Sequence, residues 1–160
     1  MRAPPEPVGV VKERRDGALG RLVGSIPFAA FLGIRFDRRG DELTAVLPFR
    51  EDLVGNPLVP ALHGGATAAF LEVAAIVELA WSASWEATEA GARAPLRMPK
   101  TIDLTVDYLR PGLPRDAYAR ARVNRSGRRY ASVHVEAWQD NRGRLFAQGT
   151  GHFLMPDAAG

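Results

Sequence analysis

Apolar and polar positions alternate over two short stretches before the chain enters one long apolar segment. Residues 34–38 and 42–49 predict two strands, and the sequence RRGD between them is a hairpin turn signal. From His63 to about Trp85 the chain is apolar on nearly every side, which predicts a helix that is buried over most of its surface. Alanines keep this helix thin, so neighbouring elements can pack closely against it.

A period of two dominates the chain after Lys100. In TIDLTVDYL, Thr101 and both aspartates are predicted on one face of a strand, and the other face is apolar: Ile102, Leu104, Val106 and Tyr108. Further strands are predicted at 116–124, 129–139 and 145–154. One face of the strand at 129–139 consists of Ala131, Val133, Val135 and Ala137. Short turns join these strands and imply an antiparallel meander. The order of elements predicts an α+β fold, an antiparallel β-sheet wrapped around one long central α-helix.

The N-terminal part of the chain carries weaker signals. Residues 1–9 are proline-rich and predicted to be loose, and the charged stretch 10–23 favours a short helix. Pro27 marks a turn or helix start, Gly33 marks a break, and EDLVGNPLVP reads as a loop that leads into the long helix. We therefore expect three parts: a partly helical or disordered extension at 1–27, one domain at 28–156 and a tail at 157–160.

Composition limits the classes of function that need to be considered. The chain has 160 residues, of which 46% are hydrophobic and 24% charged, as in a single soluble domain. It has no cysteine, which excludes disulfides and thiolate metal sites and fits a cytoplasmic location. The net charge of +3 suits a polyanionic ligand but does not indicate nucleic acid. The N-terminus lacks an apolar core of signal-peptide length.

Several familiar sites are not predicted. The sequence contains no P-loop and no G-x-S-x-G motif, and its three histidines lack the spacing of metal ligands. Residues 64–81 are long and apolar enough to raise the question of a membrane span. Glu72 lies near the centre of this stretch and Glu78 near its end, so a central helix of a soluble protein explains it better.

Three motifs together carry a resemblance to a known family. HGG precedes an apolar helix that bears Glu72, and the strand TIDLTVDYLRP and the turn RSGRR follow. In this combination the chain resembles the hotdog-fold acyl-CoA thioesterases, in the branch named for phenylacetic acid degradation, from about Phe31 to Leu154. The resemblance implies hydrolysis of an acyl-CoA thioester without metal or other cofactor. It also implies that two such units pair side by side, as a homodimer or a dimer of dimers.

The resemblance also implies roles for particular residues. Glu72, the acid on the helix, would act as base or nucleophile, and the backbone N–H of Gly64 would polarise the thioester carbonyl. Thr101 would help to place the attacking water. His63, the histidine of the motif, is a further catalytic candidate. The family often has Asn six residues before this histidine, where the chain has Pro57; Asn56 lies one residue early and stays a candidate only if the loop bulges.

The residues themselves leave alternatives open. Gly64 and Gly65 stand at a helix N-terminus, where free N–H groups suit a developing oxyanion, yet glycines there also permit tight packing. Glu72 is an acid for catalysis or a helix-face carboxylate paired with an arginine or a turn N–H. The basic residues Arg110, Arg125 and Arg128, with Gly127 in the hairpin turn, suit CoA phosphates or simply form a solvated surface. Phe70, Val73 and Trp81 suit an acyl pocket or the core.

Helix geometry adds one inference that needs no family knowledge. Gly64 and Glu72 are eight residues apart, which separates them by about 12 Å along one helix. A reacting centre must lie about 3 Å from both its oxyanion donor and its attacking group. If the two residues share a site, two antiparallel helices from two subunits must supply them.

Two other functions remain open at this point. A hotdog dehydratase acting on acyl thioesters would need a helix-linked histidine as base, and His63, at the helix start, matches this poorly. A non-catalytic acyl-CoA-binding protein would not need Glu72. Acyl-CoA hydrolysis is the favoured prediction.

Overall fold

The computed structural model describes residues 4–89 and 98–157. Its helices are α1 (Val8–Gly24), α2 (Pro27–Leu32) and α3 (Gly64–Glu89). Its strands are β1 (Arg35–Arg39), β2 (Glu42–Leu47), β3 (Val54–Asn56), β4 (Val59–Leu62), β5 (Lys100–Tyr108), β6 (Ala117–Ser126), β7 (Tyr130–Trp138) and β8 (Ala147–Leu154).

The predicted order of two strands, one long helix and a meander of strands is confirmed. Two local expectations were wrong. The predicted loop 51–60 holds a short 3₁₀ turn and the small β3–β4 hairpin, and α1 begins at Val8, inside the stretch expected to be loose. Pro at the position before α1 and Pro27 at the start of α2 suit helix N-termini, where no N–H is needed. Gly33, with a φ of 72°, ends α2 in the left-handed region.

Six antiparallel strands form one sheet in the order β1-β2-β6-β7-β8-β5. The inner face of β7 is fully buried as predicted: Ala131, Val133, Val135 and Ala137. These small side chains let α3 lie close to the sheet, and α3 contacts β2, β5, β6, β7 and β8. The α+β arrangement expected of the hotdog fold, a sheet wrapped around one central helix, is confirmed.

The length and composition of α3 would also suit a membrane span, over Gly64–Trp85. Just over half of the most apolar window, 56%, is buried inside the protein. Burial of this kind is typical of the core helix of a globular domain. Residues from α1 pack on it too, since Leu19 and Leu22 are buried and the Arg15 guanidinium lies 5.0 Å from the centre of the Trp85 ring.

A β-bulge in β5 corrects the predicted alternation of that strand. Thr101 pairs with Phe153 and Asp103 pairs with His152, so Ile102 is an extra residue. One extra residue moves every side chain that precedes it in the strand to the opposite face of the sheet from the one that strict alternation predicts. Thr101 therefore lies on the same side as Leu104, towards α3, rather than with Asp103 on the outer face, where the Asp103 carboxylate contacts His152.

Candidate active site

The first peptide groups of α3 are held by two side chains. The Tyr108 hydroxyl donates to the Gly64 carbonyl oxygen at 2.7 Å, and the Gly65 N–H donates to Nδ1 of His63 at 2.8 Å. Both polar atoms of the peptide between Gly64 and Gly65 are therefore fixed. The preceding peptide is fixed through its carbonyl, because His63 O accepts from the Thr67 N–H at 3.1 Å.

This arrangement leaves the Gly64 N–H free. In a trans peptide the N–H points opposite to the C=O, and the His63 carbonyl points along the helix towards Thr67. The Gly64 N–H consequently points out of the helix N-terminus, and none of the described residues accepts a hydrogen bond from it. A free amide at this end of a helix, where the dipole is positive, suits a negatively charged oxygen.

The two glycines are also needed for local packing. A Cβ atom at Gly65 would lie 2.9 Å from Nδ1 of His63, and one at Gly64 would lie 3.4 Å from the Tyr108 ring. Glycine at 65 thus lets the His63 ring fold over the Gly65 amide. The two alternatives considered for the glycines therefore hold together. Both residues pack tightly against neighbouring rings, and the Gly64 N–H still has no acceptor among the described residues.

Glu72 lies about two turns further along α3 and is half-buried. The Thr101 hydroxyl donates to Oε1 of Glu72 at 2.6 Å. No arginine, lysine or backbone amide among residues 4–89 and 98–157 pairs with this carboxylate. Among these residues, the structural alternative considered for Glu72, an arginine or turn N–H partner, is therefore not found. The bulge at Ile102 is what brings Thr101 to Glu72.

Gly64 and Glu72 lie in one uninterrupted helix, α3. Their separation of about 12 Å along the axis follows from the helical rise. Within one chain the structure brings Thr101 to Glu72 and Tyr108 to Gly64, but it does not bring the two pairs together.

Asn56 and Arg110 each make a local contact. Asn56 ends β3, and its Oδ1 accepts from the Leu58 N–H at 3.0 Å to close the β3–β4 turn. The irregularity in this hairpin sets Pro60 and Ala61 of β4 opposite the single residue Gly55 of β3, so the extra residue lies in β4 and not beside Asn56. Arg110 follows β5 and donates to the Leu145 carbonyl at 2.9 Å, on the wall of a cleft of about 470 Å³.

The basic turn lies between β6 and β7, and the Gly127 N–H donates to the Tyr130 carbonyl at 2.8 Å. Strand register relates it to Thr101, because Ala131 pairs with Phe153 and Phe153 pairs with Thr101. The turn therefore flanks the same end of the sheet, about two strand spacings, or roughly 10 Å, from β5. In the part of the chain that the structure describes, Arg125 and Arg128 have no hydrogen-bonded or ionic partner.

Other candidates belong to the core or the outer surface. Phe70, Val73 and Trp81 are buried in the core, so the core interpretation of these residues is the one that the structure supports. Glu78 is a half-buried carboxyl group beside Ser82, and the loss of solvent around it raises its pKa to about 7. No three histidine or acidic side chains among the described residues cluster closely enough to hold a metal ion.

Tyr108 is the site residue that the sequence analysis missed. It was assigned to the apolar face of β5, and that side of the strand does approach α3. The phenolic hydroxyl at the end of an otherwise apolar face was the available signal.

Known proteins have similar sequences and define the family. The pattern of the family described as acyl-CoA thioesterase N-terminal domain matches residues 56–154. The chain is 36% identical over 126 residues to the medium/long-chain acyl-CoA thioesterase YigI of Escherichia coli (strain K12), covering 72% of this chain and 81% of that protein.

Solved structures share the fold. A protein from Chromobacterium violaceum is 33% identical with a TM-score of 0.65, covering 94% of this chain and 99% of that one. A Bacillus halodurans protein whose crystal structure is with CoA is 24% identical with a TM-score of 0.65, covering 98% of this chain and 97% of that one.

The chain belongs to the acyl-CoA thioesterase family and has the hotdog fold. It is an acyl-CoA thioesterase, an enzyme that hydrolyses acyl-CoA thioesters. The family resemblance is confirmed, while the phenylacetic-acid branch stays a prediction.

Proposed function

We propose that Glu72, Thr101 and Gly64 carry out this hydrolysis. Glu72 takes a proton from a water molecule, and the resulting hydroxide attacks the thioester carbon. The Gly64 N–H donates to the oxyanion that forms, the C–S bond breaks, and the proton passes to the departing CoA thiolate. Direct attack by Glu72, with hydrolysis of the resulting anhydride, is the variant of this route. The pairing of the Thr101 hydroxyl with Glu72 at 2.6 Å is the observation that carries the proposal.

The active site is formed between two copies of the chain, Gly64 of one facing Glu72 of the other. Their separation along one helix supports this, since one chain cannot bring both to a single carbon. The free edge of the sheet supports it too. Strand β5 ends the sheet there, and Ile102 and Tyr108 are each 55% exposed on it. An unpaired edge with exposed apolar side chains suits pairing with a second copy.

The substrate is a medium- or long-chain acyl-CoA, the class named for the Escherichia coli relative. Arg125 and Arg128 bind phosphates of the CoA moiety, and their guanidinium groups are exposed and without partners among the described residues. Guanidinium suits phosphate because its fork matches two oxygens. The reaction needs neither metal nor other cofactor and takes place in the cytoplasm.

The hydrogen bond at His63 argues against the dehydratase alternative. A dehydratase needs an unprotonated nitrogen directed at the substrate. Nδ1 of His63 accepts the Gly65 N–H, so Nε2 carries the proton and is a donor. His63 in this arrangement donates hydrogen bonds and does not act as a base.

Thiol release from short, medium, long and aromatic acyl-CoAs tests the proposal, with the wild type beside Glu72→Gln. We expect kcat for the preferred medium- or long-chain substrate to fall by at least about 100-fold, because the amide can neither accept the proton nor attack. Glu78→Gln makes the same chemical change on the same helix, and it should retain near-wild-type kcat.

Equal turnover in the wild type and in Glu72→Gln would remove Glu72 from the mechanism. Tight binding of acyl-CoA with no turnover by either protein would favour the binding-protein alternative. A preference for aromatic acyl groups would overturn the proposed substrate class while leaving the role of Glu72 in place.

A further inference from the structure

Tyr108 makes a contact that the proposed chemistry does not use. It is the last residue of β5, and its ring packs against Gly64 while its hydroxyl donates to the Gly64 carbonyl at 2.7 Å. More than half of its side-chain surface is exposed, 55%. Within one chain, the directed hydrogen bond to the Gly64 carbonyl is its most specific interaction.

We infer that Tyr108 is a positioning residue for the oxyanion site, an inference that rests on the proposed function. Its hydroxyl fixes the peptide between Gly64 and Gly65, and the fixed peptide keeps the Gly64 N–H directed out of the helix. Tyr108 itself does not contact the reacting atoms in this assignment.

Two consecutive glycines explain why the peptide between Gly64 and Gly65 needs to be held by hydrogen bonds from side chains. Glycine has no Cβ and occupies a wide range of φ and ψ, so a helix that begins with Gly64 and Gly65 has a poorly constrained first turn. Catalysis by an oxyanion donor depends on an amide that is already oriented before the charge develops. If this peptide were free to rotate, the Gly64 N–H would point away from the oxyanion for part of the time.

Hydrogen bonds on two sides hold the peptide between Gly64 and Gly65 in one orientation. Tyr108 holds the oxygen, and His63 accepts the N–H of Gly65 on the opposite side of the same peptide. Rotation of this peptide would break both hydrogen bonds. The two contacts come from different elements, since His63 follows β4 and Tyr108 ends β5.

Strand β5 therefore orients both halves of the catalytic machinery. Thr101 near its start donates to Glu72, and Tyr108 at its end donates to Gly64. Strand β5 and helix α3 run in opposite directions. The start of β5 therefore lies beside the middle of α3, and the end of β5 lies beside the N-terminus of α3.

The test is Tyr108→Phe, which removes the hydroxyl and keeps the ring against Gly64. Tyr118→Phe is the matched control, because Tyr118 stacks on Trp138 and lies between the buried Ala117 and Ala119, which places it on the face of the sheet opposite to α3. With a medium-chain acyl-CoA we expect kcat of Tyr108→Phe to fall about fivefold to tenfold with KM within twofold, the size expected for one orienting hydrogen bond. Both variants should melt within a few degrees of the wild type.

A pair of inhibitors separates positioning from a merely structural role. One is a trifluoromethyl ketone analogue of the thioester, whose hydrate resembles the tetrahedral intermediate, and the other is a thioether of CoA that lacks the carbonyl. Tyr108→Phe should weaken binding of the ketone about fivefold to tenfold and leave binding of the thioether unchanged.

Equal loss of affinity for both inhibitors would overturn the inference, because a misfolded or displaced cleft would not distinguish them. Unchanged kcat and unchanged ketone affinity would overturn it as well. A wild-type protein that released no thiol from any acyl-CoA would instead defeat the proposed function. The two inhibitors would still decide whether Tyr108 orients a carbonyl-binding amide.

Discussion

At the scale of single residues, Glu72 and Glu78 show how environment separates two identical side chains on one helix. Glu72 is half-buried and receives the Thr101 hydroxyl at 2.6 Å. Glu78 is held among buried neighbours, with the Ser82 hydroxyl at 3.4 Å, and burial raises its pKa to about 7. Both side chains are half-buried, but only Glu72 receives a short hydrogen bond that orients its carboxylate, which is why the proposed chemistry is assigned to it.

Glu78 makes the stability of the protein depend on pH. The unfolded chain loses this proton near the usual value of 4.5, whereas the folded protein holds it to about 7. Unfolding therefore releases a proton between these values, and stability falls as the pH rises through this window. Allowing for partial exposure of the carboxylate, we expect a loss of about 1–2 kcal/mol.

Chemical denaturation of Glu78→Gln at several pH values checks this expectation. The variant should be more stable than the wild type at pH 8 and equal to it near pH 4.5. Glu51→Gln, at an exposed position, controls for the loss of one negative charge. A difference that stayed constant over this pH range would show that the Glu78 carboxyl does not titrate as described.

At the scale of elements, the bulge in β5 decides which residues can act together. Strict alternation would turn Thr101 to the outer face, and the extra residue Ile102 turns it towards α3. The period of two correctly identified the strand from the sequence. It could not show the bulge, because a bulge depends on how β5 pairs with β8, and no local feature of TIDLTVDYL marks the unpaired residue.

Deleting Ile102 should therefore turn Thr101 away from Glu72. We expect kcat to fall about tenfold, as in Thr101→Val, since each change removes the hydrogen bond that orients the carboxylate. Combining the two changes should cause little further loss, because both act through the same contact. Thiol-release kinetics on the three variants provide the measurement.

Ile102→Ala is the control for this deletion, because it removes the apolar side chain and keeps the extra residue. Because Ile102 also lies on the proposed dimer edge, kcat is compared at a protein concentration at which the dimer is intact, and there it should remain near the wild-type value. If the alanine variant lost as much activity as the deletion, the side chain of Ile102 and not the bulge would be responsible.

At the scale of the whole molecule, the proposed site joins two chains, and mixed dimers can test this directly. One chain carries Glu72→Gln. The other carries Gly64→Pro, which removes the amide proton at the first position of α3, where proline suits a helix. Each variant alone should be inactive or nearly so.

Unfolding and refolding the two variants together should restore activity. In a mixed dimer, the intact Gly64 of one chain meets the intact Glu72 of the other, so one of the two sites is complete. Random pairing should therefore recover about a quarter of the wild-type activity. No recovery, with mixed dimers demonstrated by mass spectrometry, would mean that each site is built from a single chain.

The sequence by itself determined the elements and, through the family resemblance, the class of reaction. Periodicity identified α3 and the sheet around it, because a helix apolar on nearly every side must be enclosed and alternating strands must cover it. Glu72 and the glycines stood out because a carboxylate and a glycine pair are costly inside a helix that could have been wholly apolar.

Only the tertiary structure decided how these residues face one another. The bulge that brings Thr101 to Glu72 and the Tyr108 hydroxyl on Gly64 both depend on contacts between elements far apart in the chain. Sequence periodicity reports which side of one element is apolar. It carries no information about the register between elements, and register sets the distances of a few ångströms on which hydrogen bonds and catalysis depend.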